Sequence, residues 1–258
     1  MRKVLITMVL LLTTVSMYSQ INPVTHKPKS PAKSQTTTGE KATVSKKKST
    51  AKSLPVTLSD GEYIDLGLPS GTLWAACNIG AEKPEDYGDY FACGETVGLK
   101  GGKTEFESNT YKWSPNGYYR MKVKESSGNT PETTKLALED DAAYVYSDGQ
   151  ACMPSLEQIE ELKENCTWTW TSYHGTKGYH VKGKNGNSIF LPAAGGYHGT
   201  LLENEGEKGL YWSNTLKTNG SLYTINWLFL DYWVIERNCC NYDSYGYWGF
   251  CVRSVKMK

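Results

Sequence analysis

The residue types that do chemistry are present in this chain, but the spacings that chemistry requires are missing. A serine nucleophile wants a Gly-x-Ser-x-Gly elbow, and none occurs. Gly94-Glu95 and the adjacent Asp140-Asp141 supply carboxylates. Neighbouring acids are more often a solvated face or a helix cap than a paired acid and base. Lys100-Gly101-Gly102-Lys103 is Gly-rich but lacks the strand-to-helix setting of a phosphate cradle, so it is read as a loop. His174, His180 and His198 have no metal-ligand spacing, and no CxxC or calcium loop of the EF type is found. Cys239, Cys240 and Cys251 could be redox-active, with Arg237 and Arg253 the sole cations near enough in sequence to lower a thiol pKa. The expectation is a protein without cofactor or metal and without catalytic activity.

Binding chemistry has a clearer signature. Residues 221–251 contain ten aromatic residues among 31, and no Lys occurs between Lys217 and Lys256. Rigid rings with small Asn, Ser and Gly give contact area at low entropic cost and hydrogen bonds that adapt. The expected ligand-binding positions are Asn226, Leu228, Leu230, Tyr232, Trp233, Ile235, Asn238, Cys239, Asn241, Tyr242, Ser244, Tyr245, Tyr247 and Phe250. The strand over 222–230 is apolar on both faces, so one face is covered by something other than water; that cover is either core or ligand. The register favoured here turns Tyr223, Ile225, Trp227 and Phe229 to the core and Asn226, Leu228 and Leu230 outward. A slip of one residue would reverse the faces.

The elements that position these residues are short. Apolar segments broken by Gly, Asn, Pro and Asp indicate many strands and loops. Ser155 with Gln158 forms a capping box, and Leu156, Ile159 and Leu162 give one apolar face, which predicts a helix over 155–165. A weaker helical pattern covers 134–144. Residues 178–183 and 188–192 flank Lys184-Asn185-Gly186-Asn187, a hairpin turn. The sum is one strand-rich α+β domain over 57–258.

Ahead of that domain, Met1-Arg2-Lys3 and the apolar run to Gln20 read as a signal peptide over 1–20, too short for a stable membrane span. Residues 21–56 hold eight Lys against one Glu with many Ser, Thr and Pro, the composition of an extended linker. The product is expected to be exported: periplasmic, displayed on the cell surface or secreted. From 57 onward there are 18 basic and 26 acidic residues, a balance that disfavours nucleic acid. Seven Cys is an odd number, so no complete disulfide framework is implied.

Several phrases carry a resemblance. They are YIDLGLPSGTLWAACNIGA (63–81), EDYGDYFACGE (85–95), EDDAA (139–143), CMPSLEQIEELKENCTWTWT (152–171), SIFLPAAGGYHG (188–199), YWSNT (211–215) and GFCVRSV (249–255). Together and in this order the chain resembles the surface and secreted Bacteroidetes domains related to the Fibrobacter major paralogous domain. That resemblance implies a C-type-lectin-like fold, shared with formylglycine-generating enzymes. Cys93 stands where that family often has Trp, which implies looser packing there.

Some members of the group are variable proteins of diversity-generating retroelements, in which a reverse transcriptase rewrites adenines of a C-terminal region facing the ligand. Rewritten AAY codons become NNY, which never encode Lys, Glu, Gln, Met or Trp. From Asn238 to Cys251, Trp248 alone falls outside the NNY set. The resemblance thus implies a hypervariable adhesion or receptor face within about 221–251. Its ligand would be a protein or glycan on another cell, phage or host surface. The fixed frame would be Tyr211-Trp212-Ser213 before that region and Val252-Arg253-Ser254-Val255 after it. The Glu-Pro-Asn, Gln-Pro-Asp and Trp-Asn-Asp triplets of calcium-dependent sugar binding are absent. The alternatives are a fixed-ligand envelope or glycan-binding protein, or an oxidase-type enzyme using Cys239 and Cys251.

Overall fold

Glycines, prolines and short apolar runs divide the chain into brief strands, and among the described residues these assemble into four small antiparallel sheets. A computed structural model describes residues 62–112, 133–219, 222–232, 235–241 and 246–258. For residues 133–134, 217–219, 222–224, 226 and 236–241 the backbone alone is described. All these residues belong to one unit within Ala51–Lys258. The expected signal peptide and linker lie outside the described residues. No helix among the described residues is long and apolar enough to cross a membrane.

The first sheet joins the two ends of the domain. β1 (Tyr63–Asp65) pairs with β2 (Thr72–Ala75), and β2 pairs with β12 (Val255–Met257). The second sheet has the order β11-β10-β9-β3, from β3 (Thr133–Lys135), β9 (Gly209–Asn219), β10 (Leu222–Leu230) and β11 (Ile235–Asn241). The third is β4 (Cys166–Tyr173), β5 (Thr176–Gly183) and β6 (Ser188–Pro192) in sequence order. A small hairpin of β7 (Gly196–His198) and β8 (Leu201–Glu203) completes the set.

The capping box forms as expected. The Ser155 Oγ accepts the Gln158 N–H at 3.3 Å, the Gln158 Oε1 accepts the Ser155 N–H at 2.9 Å, and α2 runs Leu156–Asn165. Leu156, Ile159 and Leu162 are all buried on its inner face. The β5–β6 hairpin also forms at the expected turn, with Gly178↔Pro192 to Lys182↔Ser188 in register.

The helix expected over 134–144 does not form. Thr133–Lys135 pairs with β9 as a strand, Leu138–Asp140 makes one 3-10 turn, and α1 spans Ala142–Tyr146. The Asp141 carboxylate accepts the Ala143 and Tyr144 N–H groups, so it starts a new helix instead of continuing one. The β-branched Thr pair before it suits a pleated strand.

Two apolar clusters flank the β9–β10 pair. Leu210, Trp212, Leu216, Ile225 and Trp227 belong to one, with Phe91, Phe250 and Val252. Tyr211, Leu228 and Leu230 belong to the other, with Ile159 and Leu162 of α2 and Tyr179 and Val181 of β5. Alternate side chains of each strand therefore enter opposite cores.

The outward assignment of Leu228 and Leu230 is corrected by this arrangement: they are 2% and 1% exposed. Ile225 and Trp227 face a core as expected, at 0% and 4%. The cover over the second face of β10 is α2 and the β4–β5–β6 sheet, so that cover is core and not ligand. Fully burying a Leu contributes roughly 1.5–3 kcal/mol, so neither position is free for recognition.

The closing phrase 249–255 forms a strap through the middle of the domain. Gly249 exchanges backbone hydrogen bonds with Tyr197, and Phe250 does so with Phe91. Cys251 N–H donates to Leu210 O, and Trp212 N–H donates to Cys251 O. Val252 O accepts from Ile79, Ser254 O accepts from Ala75, and Val255 pairs with Cys152.

Candidate aromatic recognition surface

The β10–β11 ladder runs without interruption from Leu230↔Ile235 to Thr224↔Asn241. Beyond Leu230 the chain leaves the core at Asp231 and Tyr232. The Tyr179 hydroxyl donates to Asp231 O at 2.8 Å, which fastens this connection to β5. Burial raises the Tyr179 phenol pKa, and Asp231 and Tyr232 raise it further, so the phenol stays a proton donor.

Tyr232 is 56% exposed and meets Trp170 edge to face, with ring centroids 6.0 Å apart at 85°. Trp170 in turn meets Tyr179 at 5.1 Å and 77°, and Trp168 meets the same Tyr179 at 5.6 Å and 76°. Perpendicular aromatic contacts of this kind are favourable beyond their buried area. The result is a solvent-facing ring held by a braced aromatic base.

A second ring grouping lies where the chain is again described. Trp248 stacks on His198 at 4.6 Å and 7°, and the half-buried Tyr247 lies 6.1 Å from the same imidazole. His198 stands beside Glu203 at 3.8 Å, and Leu201 at the β7–β8 turn is 68% exposed. Among the described residues no ring contact links this grouping to Tyr232.

The expected binding positions thus separate. Tyr232 is presented to solvent, while Ile235 and Tyr247 are each half-buried against the cluster that contains Leu228 and Leu230. Phe250 is corrected from contact residue to core: it is 2% exposed and stacks on Trp212 at 4.2 Å. The strap's backbone pairing fixes that direction. Asn226, Asn238, Cys239 and Asn241 lie on strand backbone whose side chains are not described, and Trp233, Tyr242, Ser244 and Tyr245 lie outside the described residues. Trp170, Trp248, His198 and Leu201 were not anticipated. The alternation Thr167-Trp168-Thr169-Trp170 was the one available signal for the first of them.

The polar residues weighed for chemistry have structural partners. Asp141 caps α1, Asp140 pairs with Lys112 at 2.8 Å, and Glu95 pairs with Lys103 at 2.7 Å. His174 Nδ1 lies 2.8 Å from Glu85. Burial pushes the Glu85 carboxyl up, but the hydrogen bond and charge of His174, a backbone hydrogen bond and the charge of Lys83 together leave the group below its ordinary value. An open cleft of about 600 Å³ is lined by Glu82, Glu85, Asp86, Lys100 and Glu205. Among the described residues no three His, Cys, Asp or Glu side chains are grouped to hold a metal ion.

Cys77, Cys93, Cys152, Cys166 and Cys251 carry free thiols. Burial drives the Cys251 thiol well above its ordinary range despite the nearby Arg253, and the thiol donates to Tyr87 O at 3.3 Å. A nucleophilic thiol needs the opposite environment. Cys93 is 1% exposed and packs within the Trp212 cluster.

No protein-family model, curated protein or solved structure matches this chain.

Proposed function

We propose that this chain is an exported, non-enzymatic binding protein of receptor or adhesion type, built on a C-type-lectin-like scaffold. Its aromatic surface is diversified by a retroelement and takes a protein or glycan ligand on another cell, phage or host surface. The observation that carries the reading is Tyr232, an exposed ring braced edge-on by Trp170 within the Lys-free aromatic stretch. Rigid, braced aromatics are the residues that dominate binding energies.

The division of the sequence supports it. The phrases shared with the lectin-like domains fall on β1, β2, the 3-10 turn and start of α1, α2, most of β4, β6, β7, β9 and the strap, and so on the frame and on the base that braces Tyr232. The expected contact set then loses Leu228, Leu230 and Phe250 to the core. It retains Tyr232, Trp233, Ile235, Asn238, Cys239, Asn241, Tyr242, Ser244, Tyr245 and Tyr247, with Asn226 at its margin; of these Trp233, which no NNY codon encodes, is a fixed contact.

Sequencing the 3′ end of the gene and its flanks across many cells of one population tests the mechanism. The expected result is a nearby near-repeat that differs at adenines, a reverse-transcriptase gene beside it, and variation confined to codons before Gly249. A uniform 3′ end without a repeat overturns diversification. For binding itself, Tyr232→Ala should lower capture of the labelled full chain by its target cells at least about tenfold. The melting temperature should stay unchanged, and equal capture by both forms removes Tyr232 from the site.

A further inference from the structure

β4 is the outer strand of its sheet, and nothing in its sequence defends that edge. Residues Cys166–Tyr173 contain no charge and no proline. Their register to β5 is unbroken over eight pairs, from Cys166↔Gly183 to Tyr173↔Thr176, with no bulge. Natural edge strands are blunted by Lys, Pro, bulges or brevity, and β4 has none of these.

In an antiparallel ladder, alternate residues turn their N–H and C=O groups away from the partner strand. The outward backbone groups of Thr167–Tyr173 form no hydrogen bond to any described residue. Thr167, Thr169 and Ser172 are exposed, and Trp168 and Trp170 are half-buried with surface still to cover.

The strand is also complementary to itself. A two-fold axis perpendicular to the sheet keeps each side chain on its own face, so the residues brought opposite must share a face. With the axis at Thr169, Trp168 faces the partner's Trp170 and Thr167 faces the partner's Thr171. Thr169 meets the partner's Thr169, and Cys166 meets the partner's Ser172. Aromatic–aromatic and Thr–Thr are among the favourable cross-strand pairs. The domain from 57 onward is acidic overall, but this strip brings no like charges together.

We propose that β4 is a self-association edge: two copies pair their β4 strands antiparallel about a two-fold axis at Thr169. Two three-stranded sheets then become one of six strands, in the order β6-β5-β4 followed by the partner's β4-β5-β6. One strand buries less than a standard interface, so the dimer is weak and concentration-dependent.

Sedimentation equilibrium on the full chain tests this. The mass should rise toward twice that of one chain as concentration passes through roughly the micromolar to millimolar range. Thr169→Lys sets two ammonium groups against each other and should hold the mass at that of a single chain, and Thr169→Glu should do the same with carboxylates. Mixing the two variants should restore the dimer, since opposite charges now meet on the axis. A single-chain mass for the unmodified protein at every concentration overturns the proposal, as does association indifferent to the charge at 169. If the variants do not fold, hydrogen exchange of the unmodified chain decides. Amides of 166–173 should gain protection with concentration, and exchange independent of concentration overturns the pairing.

Discussion

A Cβ added at Gly249 would lie 2.7 Å from the Phe106 ring, closer than side-chain atoms approach. Phe106 is itself wholly buried and cannot swing aside. Gly249→Ala should therefore cost roughly 1–3 kcal/mol through overpacking, seen as a lower midpoint in urea with unchanged slope. A midpoint equal to the unmodified chain's would place Gly249 outside the frame and reopen it as a variable position. The same single-residue view explains what could not be read beforehand around it. Gly249, Phe250 and Cys251 fit the NNY set by type, but residue type says nothing of Phe106, which comes 143 positions earlier and supplies the constraint. Cys251 looked like a candidate thiol for the same reason, and its burial beneath Tyr87 O removes that role.

Elements were legible where their signals were local. The capping box of α2 lies within four residues, and the 184–187 turn within four more, so sequence alone places both. Replacing the cap, Ser155→Ala, should cost about 1 kcal/mol; Thr→Ala at the exposed Thr169 should cost less than about 0.5 kcal/mol. Thermal unfolding of the two variants side by side checks the difference, and equal midpoints would mean that packing of Leu156 and Ile159 alone holds the helix start. Non-local competition defeated the reading at 134–144, where the Thr pair is taken by β9 some 80 residues on. The faces of β10 failed for a related reason. A strand buried on both sides carries no alternation to read, and the second cover comes from α2 and β5, neither of which neighbours β10 in sequence. Tyr232 was legible as an exposed aromatic; its brace Trp170 was not, because it lies in another sheet.

At the scale of the whole domain, the strap and the buried Arg253 make one cooperative unit of distant segments. Arg253 is 1% exposed and wholly enclosed by neutral acceptors. Its Nε donates to Asn78 Oδ1 at 2.8 Å, one terminal nitrogen to Ala75 O and Ala76 O, and the other to Phe190 O at 2.9 Å. No carboxylate pairs with it among the described residues. Burial lowers its pKa, and the neighbouring Tyr211, Cys77 and Cys251 oppose that shift. The guanidinium fork thus ties β12's approach to β2 and to β6 at once. Lys keeps the charge but reaches with one nitrogen where Arg uses three, leaving buried carbonyls unpaired. Arg253→Lys should cost about 3 kcal/mol or more. The loss should fall on the whole domain in a single transition, since each tied segment also belongs to a core cluster. Hydrogen exchange separates this from local fraying: amides of Thr72–Ala75 and Ser188–Pro192 should lose protection together with those of 249–255. If only the last ten residues exchange faster, the strap is a terminal appendage, and the aromatic surface rests on the β9–β10 sheet without it.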